Sequence, residues 1–475
     1  MTNSRFASLL LLLVSMAATS MHGQTFSVLY DFGAKISDPY QPYVEIVVQG
    51  RDGNLYSTAS QGGSSGIGAA YRITPSGTLT EIYSFSPAGG LLPFGGLTLG
   101  ADGNLYGTTY AGNSNGDPNK NYGTIFKLTP NGKLTYLYSF ANWAEGIFPY
   151  APPVQGRDGN WYGTTTSGGK GYGTIYKITP TGKFSTLYQF DSTHGDSPYA
   201  PLVQGTDGSF YGTTYNGGTN GNGVIFKITS SGKFAVVFNF DATHGSQPVG
   251  GLIQASDGNF YGTTRFGGSL GNGVVFQIPP SGLGLTVLHS MNGTTDGQQP
   301  YAALVEGTDG HLYSTNSQGG TPSQSCGQYG CGTLFKISLR GAFSVVHNFQ
   351  YAAGSTPYVP VIQHTNGMLY GTTEIGGSGA RGTCNGCGVF YELNEGLAPY
   401  AGLLPGSGKP GARIQVFGQG FTGATAVKFN GVPTSFQVVG GTFLTATVPV
   451  GASSGFVSVI TPSGTLRSYK KFVVH

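Results

Sequence analysis

Asp207-Gly-Ser-Phe-Tyr-Gly-Thr-Thr214 is one copy of a phrase that recurs along the chain. The copies begin at Asp52, Asp102, Asp158, Asp207, Asp257, Asp309 and Asn366. Successive copies start 49 to 57 residues apart. A period near 50 residues is typical of four-stranded β-propeller blades, so the spacing predicts seven blades.

Each repeat carries the signals for four short strands. In the fourth repeat, runs rich in β-branched and aromatic residues cover 200–204, 210–214, 224–228 and 234–240. Asp207-Gly208 and Ser231-Gly232 are tight-turn signals between runs, and a loop rich in Gly and Asn covers 216–223. Such runs bounded by turn residues predict strands. We therefore predict an all-β fold with a seven-bladed β-propeller over residues 24–395.

The two ends of the repeat region complement each other. The last repeat has candidate strands at 359–363, 369–373 and 389–393 but no fourth strand. Residues 26–32, which precede the first repeat, match the fourth-strand pattern of residues 184–190. We expect this N-terminal strand to complete the last blade, which would leave the ring without open edges.

The composition excludes several classes of protein. The 82 glycines and 26 prolines among 475 residues approach the content of disordered chains. Aromatic residues at 13% and charged residues at 9% argue against disorder. Glycine has no three-residue period, which excludes collagen. A net charge of +3, with Lys470-Lys471 as the only basic cluster, argues against nucleic-acid binding.

Residues 1–23 have the features of a secretory signal peptide. Arg5 precedes an apolar run over 6–18, and Ala18-Thr19-Ser20 fits a cleavage site, with cleavage near Gly23 as a second choice. An uncleaved anchor is the alternative interpretation. We expect a secreted protein in the periplasm, outside the cell or at its surface.

The four cysteines form two close pairs, Cys326 with Cys331 and Cys384 with Cys387. In an oxidising compartment, paired cysteines usually form disulfides. A single four-cysteine zinc site is the alternative, because Cys-x-x-Cys is also a metal-binding spacing. We predict two disulfides and no metal.

The repeat ends before a segment of different character. Runs at 414–421, 426–432, 444–449 and 456–460 alternate like short strands, and Asn430-Gly431 is a strong hairpin signal. This pattern predicts a small β-sandwich over residues 396–475.

The repeats resemble the bacterial GloVer tandem-repeat proteins. The resemblance covers residues 26–395 and rests on phrases such as Tyr162-Gly-Thr-Thr165 with Gly173-Thr-Ile-Tyr-Lys-Ile178. It implies an exported, propeller-like protein that is secreted or lies at the cell surface, and it implies no particular activity.

The C-terminal segment resembles an IPT/TIG domain, which has an immunoglobulin-like fold. The motifs are Pro410-Gly411, Gly418-Gln-Gly-Phe421, Phe429-Asn-Gly-Val432, Ala446-Thr-Val-Pro449 and Gly455. The resemblance implies an accessory or spacer module.

One tyrosine recurs in every repeat, and we assign it to packing between blades because a residue present in every blade usually serves the blade. The seven are Tyr56, Tyr106, Tyr162, Tyr211, Tyr261, Tyr313 and Tyr370. No nucleophile elbow, zinc-protease motif, phosphate loop or dinucleotide fingerprint is present. We therefore predict no catalytic residue and no cofactor.

The long loops of an up-and-down blade share one face of the disc, and binding residues usually lie on such loops. Residues there that differ between repeats are the candidate ligand contacts. They are Tyr110, Trp143, Glu145, Tyr215, Arg265, Phe266 and Glu374.

Aromatic rings beside few charges suit a neutral glycan or a protein surface. The sequence favours a non-enzymatic binding protein at the cell surface. One alternative is a polysaccharide-active hydrolase or lyase that uses loop carboxylates. The second alternative is a structural spacer.

Overall fold

The computed structural model describes residues 24–35, 37–86, 90–113, 121–381 and 384–475. Within these ranges the chain is built from β-strands, with two short 3-10 turns at Trp143–Glu145 and Tyr351–Ala353. The predicted all-β class is confirmed. The predicted signal peptide, residues 1–23, lies outside the described residues.

Seven four-stranded antiparallel sheets follow one another over residues 25–394, one for each repeat. In sheet order, their strands are Val48–Gln49, Leu55–Ala59, Ala69–Ile73 and Leu79–Ser84; Thr98–Leu99, Leu105–Thr109, Thr124–Leu128 and Leu134–Ser139; Val154–Gln155, Trp161–Thr165, Thr174–Ile178 and Phe184–Gln189; Val203–Gln204, Phe210–Thr214, Val224–Ile228 and Phe234–Asn239; Ile253–Gln254, Phe260–Thr264, Val274–Ile278 and Thr286–Ser290; Val305–Glu306, His311–Asn316, Thr333–Ser338 and Phe343–Asn348; Ile362–Gln363, Leu369–Thr372, Val389–Asn394 and Thr25–Asp31.

The seventh sheet joins the two ends of the repeat region. The N-terminal strand Thr25–Asp31 pairs antiparallel with Val389–Asn394, in a register that runs from Thr25 opposite Asn394 to Asp31 opposite Val389. Phe26 and Val28 pack on the buried core of this sheet and its neighbour. The strand that the sequence predicted as the closing strand occupies that position.

The first strand of each sheet is shorter than the sequence predicted. In the fourth repeat, residues 200–204 were expected to be extended, but the ladder contains only Val203–Gln204. Pro201 has no N–H to donate to a ladder, and Pro198 fixes the backbone just before it. In this repeat, the residues before the first strand therefore lie outside the ladder.

The recurring tyrosines are buried, as predicted, and their hydroxyls fix the turns. Tyr211 is 1% exposed, and its hydroxyl donates to Asp207 at 2.9 Å. The other Asp207 oxygen accepts from the Ser209 N–H at 3.0 Å, which is an Asx turn. The glycine after the tyrosine leaves space for the third strand, because a Cβ on Gly212 would lie 2.6 Å from the Phe226 ring.

Side chains at the ends of the first strands link neighbouring sheets. Gln204 accepts from the Arg157 N–H at 3.0 Å, and Gln254 accepts from the Thr206 N–H at 2.8 Å. The same bond occurs at six of the seven junctions, including the one between Gln49 and Thr365 that joins the first sheet to the seventh. This cycle of bonds, together with the closing strand, establishes a propeller-like ring of sheets.

The C-terminal segment forms two further four-stranded sheets around a shared core that includes Val416, Phe429 and Leu444. Their strands are Gly402–Leu404, Arg413–Phe417, Phe443–Thr447 and Phe436–Gly440, and Val432–Thr434, Ala426–Phe429, Val457–Thr461 and Gly464–Arg467. The remaining pairs in the chain are Pro39–Tyr40 with Gln61–Gly62, Ala380–Arg381 with Cys384–Asn385, and Ser407–Gly408 with Val473–Val474.

The C-terminal segment lies against the short turns of the ring. Gln415 donates to the Ala101 carbonyl at 2.8 Å, and Gln419 donates to Thr365 at 2.9 Å. On another part of the same face, Lys470 donates to the Gln254 carbonyl at 3.2 Å. Turns from several repeats therefore hold this segment across one face of the ring.

Both predicted disulfides are present, Cys326 with Cys331 and Cys384 with Cys387. Among the described residues, no group of three or more His, Cys, Asp or Glu side chains is arranged to hold a metal ion. No helix in the described ranges has the length and apolar character needed to cross a bilayer.

Candidate functional site

Seven residues that lie just before the first strands converge on the axis of the ring. Each follows a proline, and six of them are aromatic: Tyr43, Phe94, Tyr150, Tyr199, Val249, Tyr301 and Tyr358. Neighbouring rings are in contact, with centroid separations of 6.3 Å between Tyr43 and Phe94 and 5.0 Å between Tyr150 and Tyr199. The ring contacts continue from Tyr301 through Tyr358 back to Tyr43, at 4.6 and 4.9 Å. We call these six aromatic residues the aromatic crown.

The backbone that places the crown is strained in the same way in every repeat. The residue before each proline is not glycine, yet its φ lies between +53° and +61°, as in Phe148 and Ser197. This left-handed conformation is uncommon for such residues and persists only where the surroundings fix it. Here the Ser197 N–H donates to the Tyr172 carbonyl and its own carbonyl accepts from the Tyr215 N–H.

The hydrogen bond to the carbonyl of the left-handed residue positions four of the seven candidate ligand contacts named from the sequence. Tyr110, Tyr215 and Arg265 each directly follow the second strand of a repeat, and Glu374 lies two residues after one. Each of the four donates its N–H to the carbonyl of a left-handed residue. All four are therefore attached to the segments that carry the crown. Tyr110 stacks on Phe148 at 4.8 Å and packs edge-on against crown residues.

Arg265 lies where the crown lacks an aromatic ring, beside Val249. Its guanidinium carbon is 4.9 Å from the centre of the Tyr301 ring and 4.6 Å from that of Phe266. Its Nη1 donates to the Tyr215 hydroxyl at 3.1 Å. The cation is thus engaged by two rings and a hydroxyl, which is a favourable arrangement for a guanidinium group.

Glu374 is a half-buried carboxyl group beside the crown, and Glu45 is a second carboxyl group, fully buried near Tyr43 and Tyr150. Burial raises the pKa of Glu374 to about 7, so its protonated and ionised forms both occur near neutral pH. Burial also raises the pKa of Tyr301 to about 12 and that of Tyr199 above its usual value. The crown tyrosines are therefore neutral phenols at physiological pH.

The crown hydroxyls have no partner among the described residues. These hydroxyls belong to Tyr43, Tyr150, Tyr199, Tyr301 and Tyr358, and none of the five is fully buried. They are therefore open to solvent. By contrast, the hydroxyls of the recurring packing tyrosines are bonded within the turns, as in Tyr211.

The space behind the crown is small and apolar. A cavity of about 50 Å³ lies there, and it is lined by residues of all seven repeats. Proline and glycine residues such as Pro152, Pro201 and Gly250 form much of its wall. At the opposite face, a larger cavity of about 420 Å³ lies between the inner strands and the C-terminal segment.

Two of the residues singled out from the sequence lie away from the crown. Trp143 and Glu145 form a 3-10 turn in the connection between the second and third sheets, and Trp143 is 53% exposed. Glu145 accepts from the Tyr138 hydroxyl at 2.7 Å and from the Asn142 amide at 2.8 Å. Glu145 therefore fixes its own loop, and it is not brought together with Glu374.

Sequence reasoning missed the crown itself. The signal was a proline followed by an aromatic residue, repeated ahead of the first strand in six repeats, as in Pro198-Tyr199. A residue that recurs in every blade is assigned to packing, and for that reason this second recurring set was not considered as a site. The two sets are distinguished by their hydroxyls, which are bonded in one set and free in the other.

Several solved structures are similar to this chain. The periplasmic gluconolactonase of Pseudomonas aeruginosa is 16% identical, with 67% of this chain and 86% of that chain covered and a TM-score of 0.45. A gluconolactonase of Xanthomonas campestris is 12% identical, with 62% of this chain and 83% of that chain covered and a TM-score of 0.39. TolB of Acinetobacter baumannii is 13% identical, with 63% of this chain and 61% of TolB covered and a TM-score of 0.37. The match therefore spans less than two thirds of TolB. No curated protein matches the chain in sequence.

The family comparison covers the ring of sheets. The sequence profile of the Gloeobacter/Verrucomicrobia repeat matches residues 16–144, 115–325 and 200–398, which overlap and together span most of the chain. These matches contain all seven copies of the repeated phrase and the segments that carry the crown. The chain belongs to the Gloeobacter/Verrucomicrobia repeat family.

Proposed function

We propose that this chain is an exported, non-enzymatic binding protein that recognises a glycan or a protein at the cell surface. In this proposal, a seven-bladed β-propeller over residues 24–395 presents the aromatic crown as its binding face. An immunoglobulin-like module of the IPT/TIG type follows over residues 396–475. Residues 1–23 act as the signal for export.

The aromatic crown is the observation that carries the proposal. Six rings drawn from six repeats meet at one axis, half-buried, and five of their hydroxyls have no partner within the ranges that the structure describes. Binding sites typically combine apolar walls with a few polar groups that fix orientation. Packing alone would not require five unpaired hydroxyls at one solvent-exposed opening.

An array of glycans and bacterial surface proteins, probed with the chain from Gln24 onward, tests this proposal. We expect a ligand that is lost in the double variant Tyr199→Val and Tyr301→Val. Valine already occupies this position of the repeat at Val249, so the ring of sheets accommodates valine there. Tyr172→Val, at an exposed loop tyrosine, is the control and should retain binding. Unchanged binding by the crown variant would remove the crown as the site.

A second candidate function is polysaccharide cleavage by loop-face carboxylates. The elevated pKa of Glu374 favours it, because a general acid needs a proton at neutral pH. A glycosidase also needs a second carboxyl group at a set distance, and Glu145 is engaged in its own loop. Loss of turnover of a cleaved polysaccharide in Glu374→Ala, with the fold intact, would establish this candidate over the first.

A spacer role is the remaining possibility. It requires that no substitution on the crown face changes any interaction of the protein. The array with the paired variants therefore tests the spacer role as well.

A further inference from the structure

We infer that the aromatic crown binds the end of an uncharged carbohydrate chain, with the terminal sugar held end-on at the axis. The inference rests on the proposed binding function and names its ligand class and direction of approach. Four observations carry it: the circular arrangement of the rings, the hydroxyls without a partner among the described residues, the absence there of an excess charge of either sign, and the C-terminal segment across the far face.

The crown rings are arranged in a circle with one gap. Ring contacts of 4.6 to 6.3 Å connect the six crown residues around the axis, and Arg265 contacts Tyr301 at the gap. The cavity that the crown residues help to line, about 50 Å³, has space for only a few water molecules. A sugar can rest on the rings, but a chain cannot pass between them. A groove for the side of a polysaccharide would instead be elongated.

The free hydroxyls match the end of a sugar chain in chemistry. Each phenol hydroxyl can donate one hydrogen bond and accept others, as each sugar hydroxyl can. Tyr43, Tyr150, Tyr199, Tyr301 and Tyr358 present these groups from five directions around one point. A terminal sugar carries hydroxyls around most of its circumference, whereas a sugar inside a chain has two of its positions occupied by linkages.

The charges at the crown favour a neutral ligand. Arg265 keeps its positive charge, and its guanidinium is held by two rings, the Tyr215 hydroxyl and the Gln299 amide oxygen. Glu374 is half-buried, and burial favours its neutral form. The surrounding tyrosines carry no charge at neutral pH. Among the described residues, the crown thus carries one cation and one partly exposed carboxyl group, and it has no excess of either sign that would select an acidic or a cationic sugar.

The opposite face is occupied by the protein's own C-terminal segment. Tyr400 donates to the Gln363 carbonyl at 2.8 Å, and Thr442 donates to the Arg51 carbonyl at 2.8 Å. Phe417 and Phe443 of this segment join a buried cluster with Leu99 of the second sheet. The C-terminal segment therefore covers part of the far face, and the crown face is the one that presents the rings and hydroxyls to a sugar.

Isothermal titration of the chain from Gln24 onward with neutral oligosaccharide ladders tests the inference. We would use methyl glycosides and chains of two, three and six sugars, built from glucose, mannose or N-acetylglucosamine. For the sugar that binds, the affinity should level off at the disaccharide. Tyr199→Phe, which removes one hydroxyl and keeps the ring, should weaken binding about 3- to 10-fold. Tyr172→Phe is the control and should leave it unchanged.

The other outcomes separate this inference from the proposed function. Affinity that keeps rising beyond the trisaccharide would overturn end-on binding, and preference for a uronic acid ladder would overturn the neutral class. A protein ligand at the crown, with no response to sugars, would overturn the inference and leave the proposed binding function standing. A crown that binds neither class would overturn both.

Discussion

The guanidinium of Arg265 lies over the ring of Tyr301, with 4.9 Å between the guanidinium carbon and the ring centre. The two residues come from adjacent repeats, so the contact also ties two sheets together at the axis. It replaces the ring–ring contact that Val249 cannot make. One charged side chain thereby completes an otherwise aromatic circle.

Arg265→Ala should lower the free energy of unfolding by about 1 to 2 kcal/mol, because it removes a stacked cation and the bond to Tyr215. Urea unfolding followed by tryptophan fluorescence measures the effect. Arg340→Ala, in an exposed turn, is the control and should change stability by less than about 0.5 kcal/mol. Equal losses in both variants would show that the stacked position contributes nothing specific.

Glu374→Gln should change how stability depends on pH. The pKa of Glu374 is raised by burial to about 7 in the fold, from 4.5 without the fold. The folded state therefore holds more protons between these values, and the wild-type protein loses stability as pH rises from about 4.5 to 7. The variant lacks this loss, so it should gain up to about 3 kcal/mol over the wild type between pH 4 and 8. A constant difference between the two proteins across that range would contradict the assignment.

Glu306 and Lys470 should show a small, salt-sensitive coupling. Their charged atoms are 3.7 Å apart, and the Lys470 side chain is 44% exposed. Glu306→Gln keeps an acceptor for the Ser256 N–H, as the glutamines of other repeats do. A double-mutant cycle with Lys470→Met should give a coupling of about 0.2 to 1 kcal/mol that shrinks in high salt. A control cycle that pairs Glu306→Gln with Lys409→Met, at an exposed lysine, should give no coupling energy. A coupling energy there equal to that with Lys470 would refute a specific contact.

Gly212→Ala should destabilise the fourth sheet by about 1 to 3 kcal/mol, because the added Cβ would lie 2.6 Å from the Phe226 ring. Phe226→Leu in the same chain should recover part of the loss, and thermal unfolding of the single and double variants measures both effects. Gly440→Ala is the control, since nothing lies within 4 Å of that Cβ. Additive losses in the double variant would argue against this contact.

Removal of the N-terminal strand should open the ring. A chain that begins at Gly33 lacks Thr25–Asp31 and exposes the edge of Val389–Asn394. We expect loss of cooperative unfolding and self-association through that edge, measured by size-exclusion chromatography and calorimetry. A chain that begins at Gly23 keeps the strand and is the control. A monomeric, cooperatively folded Gly33 chain would show that the strand is dispensable.

The repeat allowed much of the fold to be predicted from sequence. Tyr211 and Asp207 recur at fixed spacing, so the strands and turns could be placed, and the pattern of residues 26–32 identified the closing strand. The short first strands were not foreseen, because prolines such as Pro201 prevent pairing in a run that otherwise looks extended.

The candidate site was only partly predictable. Tyr215, Arg265 and Glu374 were found because they differ between repeats, and the structure places them beside the crown. The crown depends on left-handed residues such as Ser197, a conformation that no propensity of serine indicates. Trp143 and Glu145 lie elsewhere, and a role for them in binding stays a prediction.

The closing strand also makes ring closure a late step in folding. Thr25 and its partner Asn394 lie about 370 residues apart along the chain. Six sheets have all their strands before the seventh can be completed. Because such distant pairing is slow, the final step is a single long-range search that brings the two ends of the repeat region together.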